Sequence, residues 1–201
     1  MCIVGTASYA HERDLPELVQ RAVRLAVAMN FELSCHPAQG RLLSLLTRGR
    51  PGALIGETGT GCGVGLAWML SAADPSTRLI SVESDRERAA AVRDLYSGNE
   101  QVTIIHGDWS AILPHGPFDL LVLDGGGSGK TRSDERRVNP RTALRPAGTL
   151  VMDDWTPWET WPPNDDNEFE QSRLYWLQHP DLLASEIRLS PSLSTIIATR
   201  Y

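Results

Sequence analysis

Short apolar runs alternate with helix-like segments through the middle of this chain, from about residue 53 to residue 152. The runs are short and rich in Leu, Ile and Val, which favours buried strands. Strands that alternate with helices form a parallel sheet with right-handed crossovers. The predicted strands cover residues 53–55, 78–82, 102–105, 118–123 and 149–152.

Helices are predicted on both sides of the first strand. Asp14 can cap a first helix, with Glu17 three residues on as in a capping box. A second helix is predicted over residues 38–48. Ser84 and Glu87 have the same spacing and predict the start of another helix after the second strand. These helices would cover the sheet.

The end of the chain predicts a different kind of strand pairing. A helix is expected over residues 168–178, followed by strands over 186–189 and 194–198. The last two strands are joined by a short link, so they should pair antiparallel. The sequence therefore predicts a doubly wound α/β fold with a mostly parallel sheet of about seven strands, an antiparallel C-terminal strand and helices on both faces.

Length and composition fit one domain. The chain has 201 residues, of which 41% are hydrophobic and 22% charged, and such a chain can bury a substantial core. We predict a single domain over residues 1–201, in which residues 1–50 form a helical cover and residues 51–201 form the α/β core.

Net charge and the lengths of the apolar segments indicate which classes of binding partner are disfavoured. Acidic residues outnumber basic ones by 25 to 19, for a net charge of −6, which disfavours nucleic acid and anionic membranes. No apolar stretch reaches the roughly 20 residues of a membrane span, and the first residues lack signal-peptide features. Three cysteines without metal-ligand spacing fit a reduced compartment. We expect a cytoplasmic protein, with the oligomeric state open and a homodimer included.

A glycine-rich turn, Glu-Thr-Gly-Thr-Gly-Cys-Gly over residues 57–63, follows the first strand. The dinucleotide fingerprint fails there, because the sixth position is Val64 or Leu66, counted from either of the first two glycines. The second glycine run, over residues 125–131, lacks the first glycine of a phosphate-binding P-loop, since Asp124 stands in its place. Both common phosphate-binding turns are therefore disfavoured.

Acidic residues follow five successive strands, namely Glu57, Glu83, Asp108, Asp124 and Asp153. Any one of them could simply cap a helix. Together they favour a ligand site, because doubly wound folds bind ligands at the carboxyl ends of their strands. Glu83 lies 24 residues past Gly59, where a carboxylate can accept hydrogen bonds from ribose hydroxyls.

The glycine turn resembles the first motif of the class I S-adenosylmethionine-dependent methyltransferases. Adenosylmethionine carries an ammonium and a sulfonium and no phosphate, so a carboxylate such as Glu57 fits beside it. The resemblance also implies that Asp108 and Trp109 hold the adenine, through its exocyclic amine and its ring. The predicted cofactor-binding residues are Glu57, Gly59, Thr60, Gly61, Gly63, Glu83, Asp108, Trp109 and Asp124.

More narrowly, the chain resembles the small O-methyltransferases of the catechol and caffeoyl-CoA O-methyltransferase type. Residues 37–43, 144–151 and 173–199 resemble the segment before the first strand, the approach to the fifth strand and the closing helix and strand pair of that family. The resemblance implies methyl transfer to a hydroxyl of a small, perhaps aromatic, acceptor. The alternative is a protein of the same fold that binds adenosylmethionine without metal-dependent catalysis.

The same family holds a divalent metal with an aspartate after the fourth strand and an Asp-Asn pair after the fifth. Asp124 and Asp153 match, and Asp154 stands where the family has asparagine, which implies the metal set Asp124, Asp153 and Asp154. Oxygen ligands suit Mg²⁺ or Ca²⁺. The family lysine is replaced by Gly127, so metal dependence stays open. Asp153 and Asp154 could instead cap the next segment or orient the acceptor.

Lys130 is the single lysine of a chain with 18 arginines. A bias toward arginine explains this, and so does a base role, because lysine can deprotonate near neutral pH and arginine cannot. The predicted catalytic residues are Lys130, Asp124 and Asp153. The glycines before Lys130 predict a loop too flexible to fix a base in the empty protein.

Three tryptophans, Trp155, Trp158 and Trp161, follow the fifth strand within seven residues. They could cover the edge of the sheet. They could also form a wall for a flat, aromatic acceptor. The sequence leaves both interpretations open.

Overall fold

The computed structural model describes residues 5–130, 136–158 and 168–201. The strands are β1 (Leu54–Thr58), β2 (Arg78–Glu83), β3 (Val102–His106), β4 (Phe118–Leu123), β5 (Leu144–Trp155), β6 (Leu182–Ser190) and β7 (Leu193–Arg200). The α-helices are α1 (Glu17–Ala28), α2 (Pro37–Arg48), α3 (Val64–Ala72), α4 (Arg86–Leu95), α5 (Pro140–Ala143) and α6 (Glu168–Leu177), and 3-10 helices cover Thr6–His11 and Trp109–His115. Within these residues, none of the helices combines the length and apolar character that a membrane crossing requires.

The seven strands form one sheet in the order β3-β2-β1-β4-β5-β7-β6. Neighbours among β1 to β5 pair in parallel, whereas β7 runs antiparallel to both β5 and β6. The predicted fold is therefore confirmed, including its antiparallel end. Strand order reverses between β1 and β4, and such a switch point opens a crevice at the carboxyl ends of the strands.

Strand β4 is almost entirely apolar because both faces of the sheet are covered. Leu120 and Val122 of β4 pack in a cluster with α1, α2 and α3, whereas Leu121 and Leu123 point into a second cluster. The second cluster includes Trp176 of α6. Burying one such side chain stabilises the fold by about 1.5–3 kcal/mol. Helices on both faces are thus required by the strand sequence.

The segment between α1 and α2 is fixed over the crevice by a buried hydrogen-bond chain. The Tyr9 hydroxyl donates to the carbonyl oxygen of Cys35 at 2.8 Å, and the Trp68 indole N–H donates to the Tyr9 oxygen at 2.8 Å. Trp68 belongs to α3, which follows the glycine turn. We call residues 31–36 the cover segment; its position is tied to the helix that carries the turn.

Two predicted caps are wrong. Helix α1 begins after Pro16, and Asp14 has a left-handed φ of 58° and no capping hydrogen bond to this helix. At α4 the cap is Asp85, whose side chain accepts from the Arg88 N–H, rather than the exposed Ser84. At α4 two residues with capping side chains are adjacent, whereas α1 begins without a side-chain cap, and spacing alone does not distinguish these cases.

Strand β5 is longer than the predicted 149–152 because it contains irregularities. Its pairing with β4 shifts between Phe118 and Leu120, and its pairing with β7 shifts between Met152 and Trp155. Ala147 and Asp154 have positive φ angles of 60° and 54°. Bulges of this kind change the direction in which side chains point. At the irregularity between Met152 and Trp155, the Asp154 side chain faces the crevice.

Candidate active site

The glycine turn after β1 has a backbone that side chains rarely adopt. Gly59, Gly61 and Gly63 have φ angles of 83°, 54° and 82°. A Cβ on Gly59 would lie 2.4 Å from the Cα of Gly125, and one on Gly61 would lie 2.8 Å from the Phe31 ring. The turn is therefore packed between the loop after β4 and the cover segment, and only glycine fits there.

A cavity of about 280 Å³ opens at the carboxyl ends of the strands. Six residues that the sequence analysis placed in the site line it, namely Gly59, Gly61, Glu83, Trp109, Asp124 and Asp154. The predicted convergence of strand ends on one crevice is thus present in the structure. Phe31 and Leu33 of the cover segment close one side.

Glu83 is the most constrained of these lining residues. Its Oε2 accepts from the Gly61 N–H at 2.7 Å. Its Oε1 accepts from the Asp85 N–H at 2.8 Å and from Arg88 Nη2 at 2.9 Å. One carboxylate thereby joins the glycine turn, the end of β2 and the start of α4.

Glu57 lies beneath the turn rather than on the cavity wall. It is 2% exposed, and the Ser81 hydroxyl donates to its Oε2 at 2.5 Å. Ser81 in turn shares a 2.6 Å hydrogen bond with the hydroxyl of Thr60. Burial raises the pKa of Glu57 to about 8, although the Ser81 hydrogen bond acts in the opposite direction. Its predicted contact with the cofactor stays a prediction.

Three other predicted cofactor residues also lie outside the cavity lining. Thr60 is buried against Ser81, and Gly63 begins α3 and accepts a hydrogen bond from the Tyr96 hydroxyl. Asp108 is exposed and caps the following 3-10 helix through Ser110, whose hydrogen bonds lower the pKa of the aspartate. Its neighbour Trp109 lies on the wall instead.

Carboxylates of Asp124, Asp153 and Asp154 come together at the ends of β4 and β5, with one oxygen of each within 4.8 Å of the others. Burial and the charges of Asp153 and Asp154 raise the pKa of Asp124 well above its usual range. Burial and Asp154 also raise the pKa of Asp153 to about 6. The Oδ1 of Asp153 is buried and accepts no hydrogen bond from the residues described. Such oxygens fit a hard divalent cation.

Lys130 reaches the same cluster from the loop after β4. Its Nζ donates to the backbone oxygen of Asp153 at 2.8 Å and lies 3.9 Å from Asp153 Oδ1. The three predicted catalytic residues, Lys130, Asp124 and Asp153, are therefore neighbours. Whether they are catalytic stays a prediction.

The loop that carries Lys130 is anchored, contrary to its predicted flexibility. The Thr58 hydroxyl donates to the Gly126 oxygen at 2.9 Å, and the Val138 N–H donates to the Gly127 oxygen at 2.8 Å. The Trp176 indole donates to the Ser128 oxygen at 2.7 Å. The number of glycines predicts conformational flexibility for an isolated loop. It does not reveal these hydrogen bonds, because their partners come from other parts of the chain.

Trp155 is the last residue of β5 and is fully buried in the sheet cluster, so it does not form the aromatic wall that was one of the two interpretations. Trp158 is partly buried and packs on the guanidinium of Arg173 at 4.4 Å. Arg173 lies between the two indoles and pairs with Glu186. Trp161 lies outside the described residues. The edge-covering interpretation is the one that Trp155 supports.

Sequence reasoning missed Arg88, Phe31 and Leu33, which all line the cavity. Arg88 lies in the first turn of a helix that begins directly after a strand end, and this position was the available signal. Phe31 and Leu33 come from a segment with no motif, and only the packing of the cover segment brings them to the site.

Known proteins give the site a family context. Residues 57–155 match a family model described as a methyltransferase domain. A catechol O-methyltransferase of Niastella koreensis is 35% identical over 109 residues, which cover 50% of this chain and 49% of that protein. The chain spans about half the length of the first curated relatives it matches.

Two solved structures share the fold over nearly the whole chain. The O-methyltransferase from Bacillus cereus, solved in complex with SAH, has a TM-score of 0.73 at 19% identity and covers 98% of this chain and 97% of its own. The O-methyltransferase TomG from Streptomyces achromogenes, solved with SAM, has a TM-score of 0.72 at 20% identity, with 98% and 95% covered. The resemblance stated from the glycine motif is thereby confirmed. Residues 57–155 match the methyltransferase-domain family model, and the chain shares its fold with these two solved structures.

Proposed function

We propose that the chain is an S-adenosylmethionine-dependent methyltransferase that methylates a hydroxyl of a small molecule, with aromatic acceptors the first to test. One observation carries the proposal. A single cavity joins the glycine turn, the Glu83 carboxylate and the acidic residues Asp124 and Asp154. A cavity with this lining suits a ligand that has a ribose and positive charge and lacks phosphate.

Each wall of the cavity has a part in the proposed binding. Gly59 and Gly61 present backbone to the methionine portion, and a side chain at either position would clash with Gly125 or with the Phe31 ring. Glu83 accepts from the ribose, and Trp109 packs against the adenine. Adenosylmethionine, when bound, supplies the methyl group and the sulfur that leaves. Residues of this chain then align the acceptor oxygen and receive its proton.

Asp124, Asp153 and Asp154 would hold Mg²⁺ or a similar cation, which would lower the pKa of the acceptor hydroxyl. The buried Oδ1 of Asp153, which accepts no hydrogen bond from the described residues, supports this assignment. We assign to Lys130 Nζ the role of receiving the acceptor's proton, because its hydrogen bond to the Asp153 backbone keeps it beside the cluster.

Three other expectations from the sequence stay predictions. They are a cytoplasmic location, a homodimer, and the N-terminal helical cover formed by residues 1–50.

The second candidate function is binding of adenosylmethionine without metal-dependent catalysis. Gly127 at the position of the family lysine favours it. Methyl transfer to a panel of catechols and phenols, measured with labelled adenosylmethionine and with Mg²⁺ or EDTA, separates the two. Transfer supports the enzyme, and binding without transfer to any acceptor supports the alternative.

Cofactor class is tested by thermal denaturation with adenosylmethionine, adenosylhomocysteine and NAD in separate samples. A ligand that binds the native state raises the melting temperature in proportion to RT ln(1 + [L]/Kd). We expect the first two ligands to stabilise the chain and NAD to leave it unchanged. Stabilisation by NAD alone would contradict the proposed cofactor.

Glu83→Gln tests the ribose contact. The amide removes the negative charge that two or more donors share, and a hydrogen bond to a charged group contributes about 1.5–3 kcal/mol. We expect the affinity for adenosylhomocysteine, measured by calorimetry, to fall at least about tenfold, or ~1.4 kcal/mol. Glu87→Gln, on the exposed surface of α4, is the matched control. Unchanged binding in Glu83→Gln would refute the ribose assignment.

A further inference from the structure

Arg88 stands at the ribose end of the cavity, in the first turn of α4. Its Nη2 donates to Glu83 Oε1 at 2.9 Å, and its Nη1 lies 3.6 Å from the carboxylate of Asp85. The guanidinium carbon lies 5.1 Å from the centre of the Phe31 ring. The side chain is 28% exposed, so it is held between the carboxylate wall and the cover segment.

Glu83 has too few free acceptor positions for both hydroxyls of a ribose. A carboxylate offers about four lone-pair positions. Three are taken by the N–H groups of Gly61 and Asp85 and by the guanidinium of Arg88. One position remains, on Oε2, and one hydroxyl can donate to it. The second hydroxyl needs another partner at the same end of the cavity.

The guanidinium of Arg88 has donors to spare at this end of the cavity. Its Nε is buried without an acceptor among the residues described, and its Nη1 lies 3.6 Å from the Asp85 carboxylate, beyond hydrogen-bond distance. The side chain is 28% exposed and lines the cavity, so the N–H groups of Nη1 are the donors that a bound ligand can meet. A hydroxyl oxygen can accept a hydrogen bond as well as donate one. The second ribose hydroxyl and Arg88 are thus complementary.

We propose that Arg88 is a further cofactor-binding residue, which donates from its guanidinium to a ribose hydroxyl oxygen that Glu83 leaves without a partner. The inference rests on the proposed function, since it takes adenosylmethionine as the ligand. Phe31 is the positioning residue, because its ring supports the guanidinium through a cation–π contact and rests against Gly61. The two ribose hydroxyls would thus contact one anionic side chain, Glu83, and one cationic side chain, Arg88.

The test is calorimetry of the full chain with adenosylhomocysteine, for the wild type, Arg88→Ala and Arg86→Ala. Arg86 is exposed in the same first turn of α4, so its removal changes the charge of that turn equally. We expect Arg88→Ala to bind roughly tenfold more weakly and Arg86→Ala to bind within about twofold of the wild type. If Arg88→Ala does not fold, Arg88→Gln replaces it, with the same loss expected.

A second titration uses the analogue of adenosylhomocysteine that lacks both ribose hydroxyls. With no hydroxyl to meet, the analogue should bind the wild type and Arg88→Ala equally, within about twofold. Equal losses for both ligands would overturn the inference, because Arg88 would then act through the fold alone. Unchanged or tighter binding of adenosylhomocysteine to Arg88→Ala would overturn it as well.

The same titrations give a different result if the proposed function itself is wrong. A wild-type chain that binds neither adenosylhomocysteine nor adenosylmethionine would overturn the proposed function, and the inference with it. Normal wild-type binding with an unaffected Arg88→Ala overturns the inference alone. The two failures are therefore distinguishable in one set of titrations.

Discussion

Glu57 is a carboxyl group that the fold removes almost completely from water. Desolvation favours its neutral form, so the pKa of Glu57 rises from 4.5 to about 8 despite the Ser81 hydrogen bond. The folded state therefore retains a proton that the unfolded chain loses above pH 4.5. The contribution of Glu57 to the free energy of unfolding is therefore largest below pH 4.5. It decreases as the pH rises from 4.5 to about 8 and is constant at higher pH.

Glu57→Gln should abolish that dependence. Glutamine keeps an oxygen that can accept from Ser81 and does not ionise. We expect the free energy of unfolding of the variant, relative to the wild type, to increase steadily between pH 5 and pH 8. Urea denaturation of both proteins at pH 5.5, 7 and 8.5 measures it, with Glu87→Gln as the exposed control. A constant difference across these pH values would show that the buried carboxyl ionises normally.

Lys130→Arg separates the two interpretations of the single lysine. Arginine keeps the positive charge near Asp153 but cannot deprotonate at neutral pH. If Nζ receives the acceptor's proton, turnover should fall roughly 100-fold or more, in the range of general-base catalysis. Adenosylhomocysteine affinity, measured on the same samples, should stay within about twofold of the wild type. Near-normal turnover would return Lys130 to the arginine-bias interpretation.

Two loops meet backbone to backbone where the turn after β1 touches the loop after β4. Gly59→Ala would place a methyl group 2.4 Å from the Cα of Gly125. Gly98→Ala is the matched control, because its φ of 81° is nearly that of Gly59 and its Cβ would meet open space. Both variants share a left-handed strain of about 1–2 kcal/mol.

We expect Gly59→Ala to lose clearly more unfolding free energy than Gly98→Ala in urea denaturation. Adenosylhomocysteine affinity should fall only in Gly59→Ala, since the clash separates the turn from the loop that carries Asp124. Equal effects of the two substitutions on stability and binding would mean that the contact between the loops is unimportant.

Elements with a strong apolar pattern could be predicted from the sequence, and their exact ends could not. Strands β2 to β4 and helix α2 lie within about one residue of their predicted bounds, and β1 ends three residues beyond its predicted end. The prediction at Ser84 failed because the adjacent Asp85 has the same capping chemistry, and the one at Asp14 failed because α1 begins only at Glu17, after Pro16. The end of β5 was missed because bulges at Ala147 and Asp154 depend on pairing with other strands.

Carboxylates at the strand ends could likewise be assigned to one edge of the sheet, because parallel topology brings those ends together. Their separate environments could not be assigned. Both were predicted to follow strands, yet Glu57 lies within β1 and is buried beneath the turn, whereas Asp108 lies two residues after β3 and is exposed. Arg88 has no motif, and its role depends on the cover segment brought over it by tertiary packing.

At the scale of the whole molecule, the acidic cluster concentrates negative charge in a chain whose net charge is already −6. Mg²⁺ at 5 mM should raise the melting temperature, because it relieves repulsion among three carboxylates. Binding needs the ionised forms, so the increase should be larger at pH 7.5 than at pH 5.5, on either side of the Asp153 pKa of about 6.

Asp124→Asn should remove most of that increase, since it deletes one of the three ligands. NaCl at the same ionic strength controls for screening, which acts on every surface charge. A rise in melting temperature that NaCl reproduces, or that Asp124→Asn retains, would count against a bound cation.

The walls of the cavity are formed by different kinds of structure, so they differ in how well they can accommodate amino-acid substitutions. The end beside Glu83 and the glycine turn is made of backbone and strand termini, where most substitutions would disturb the sheet. Leu33 is a 55% exposed side chain that also lines the cavity, in a segment outside every strand. Mutation can therefore reshape that wall while the turn stays intact. If the proposed function holds, libraries that seek new ligands are best begun at Leu33, because a change there costs the fold little.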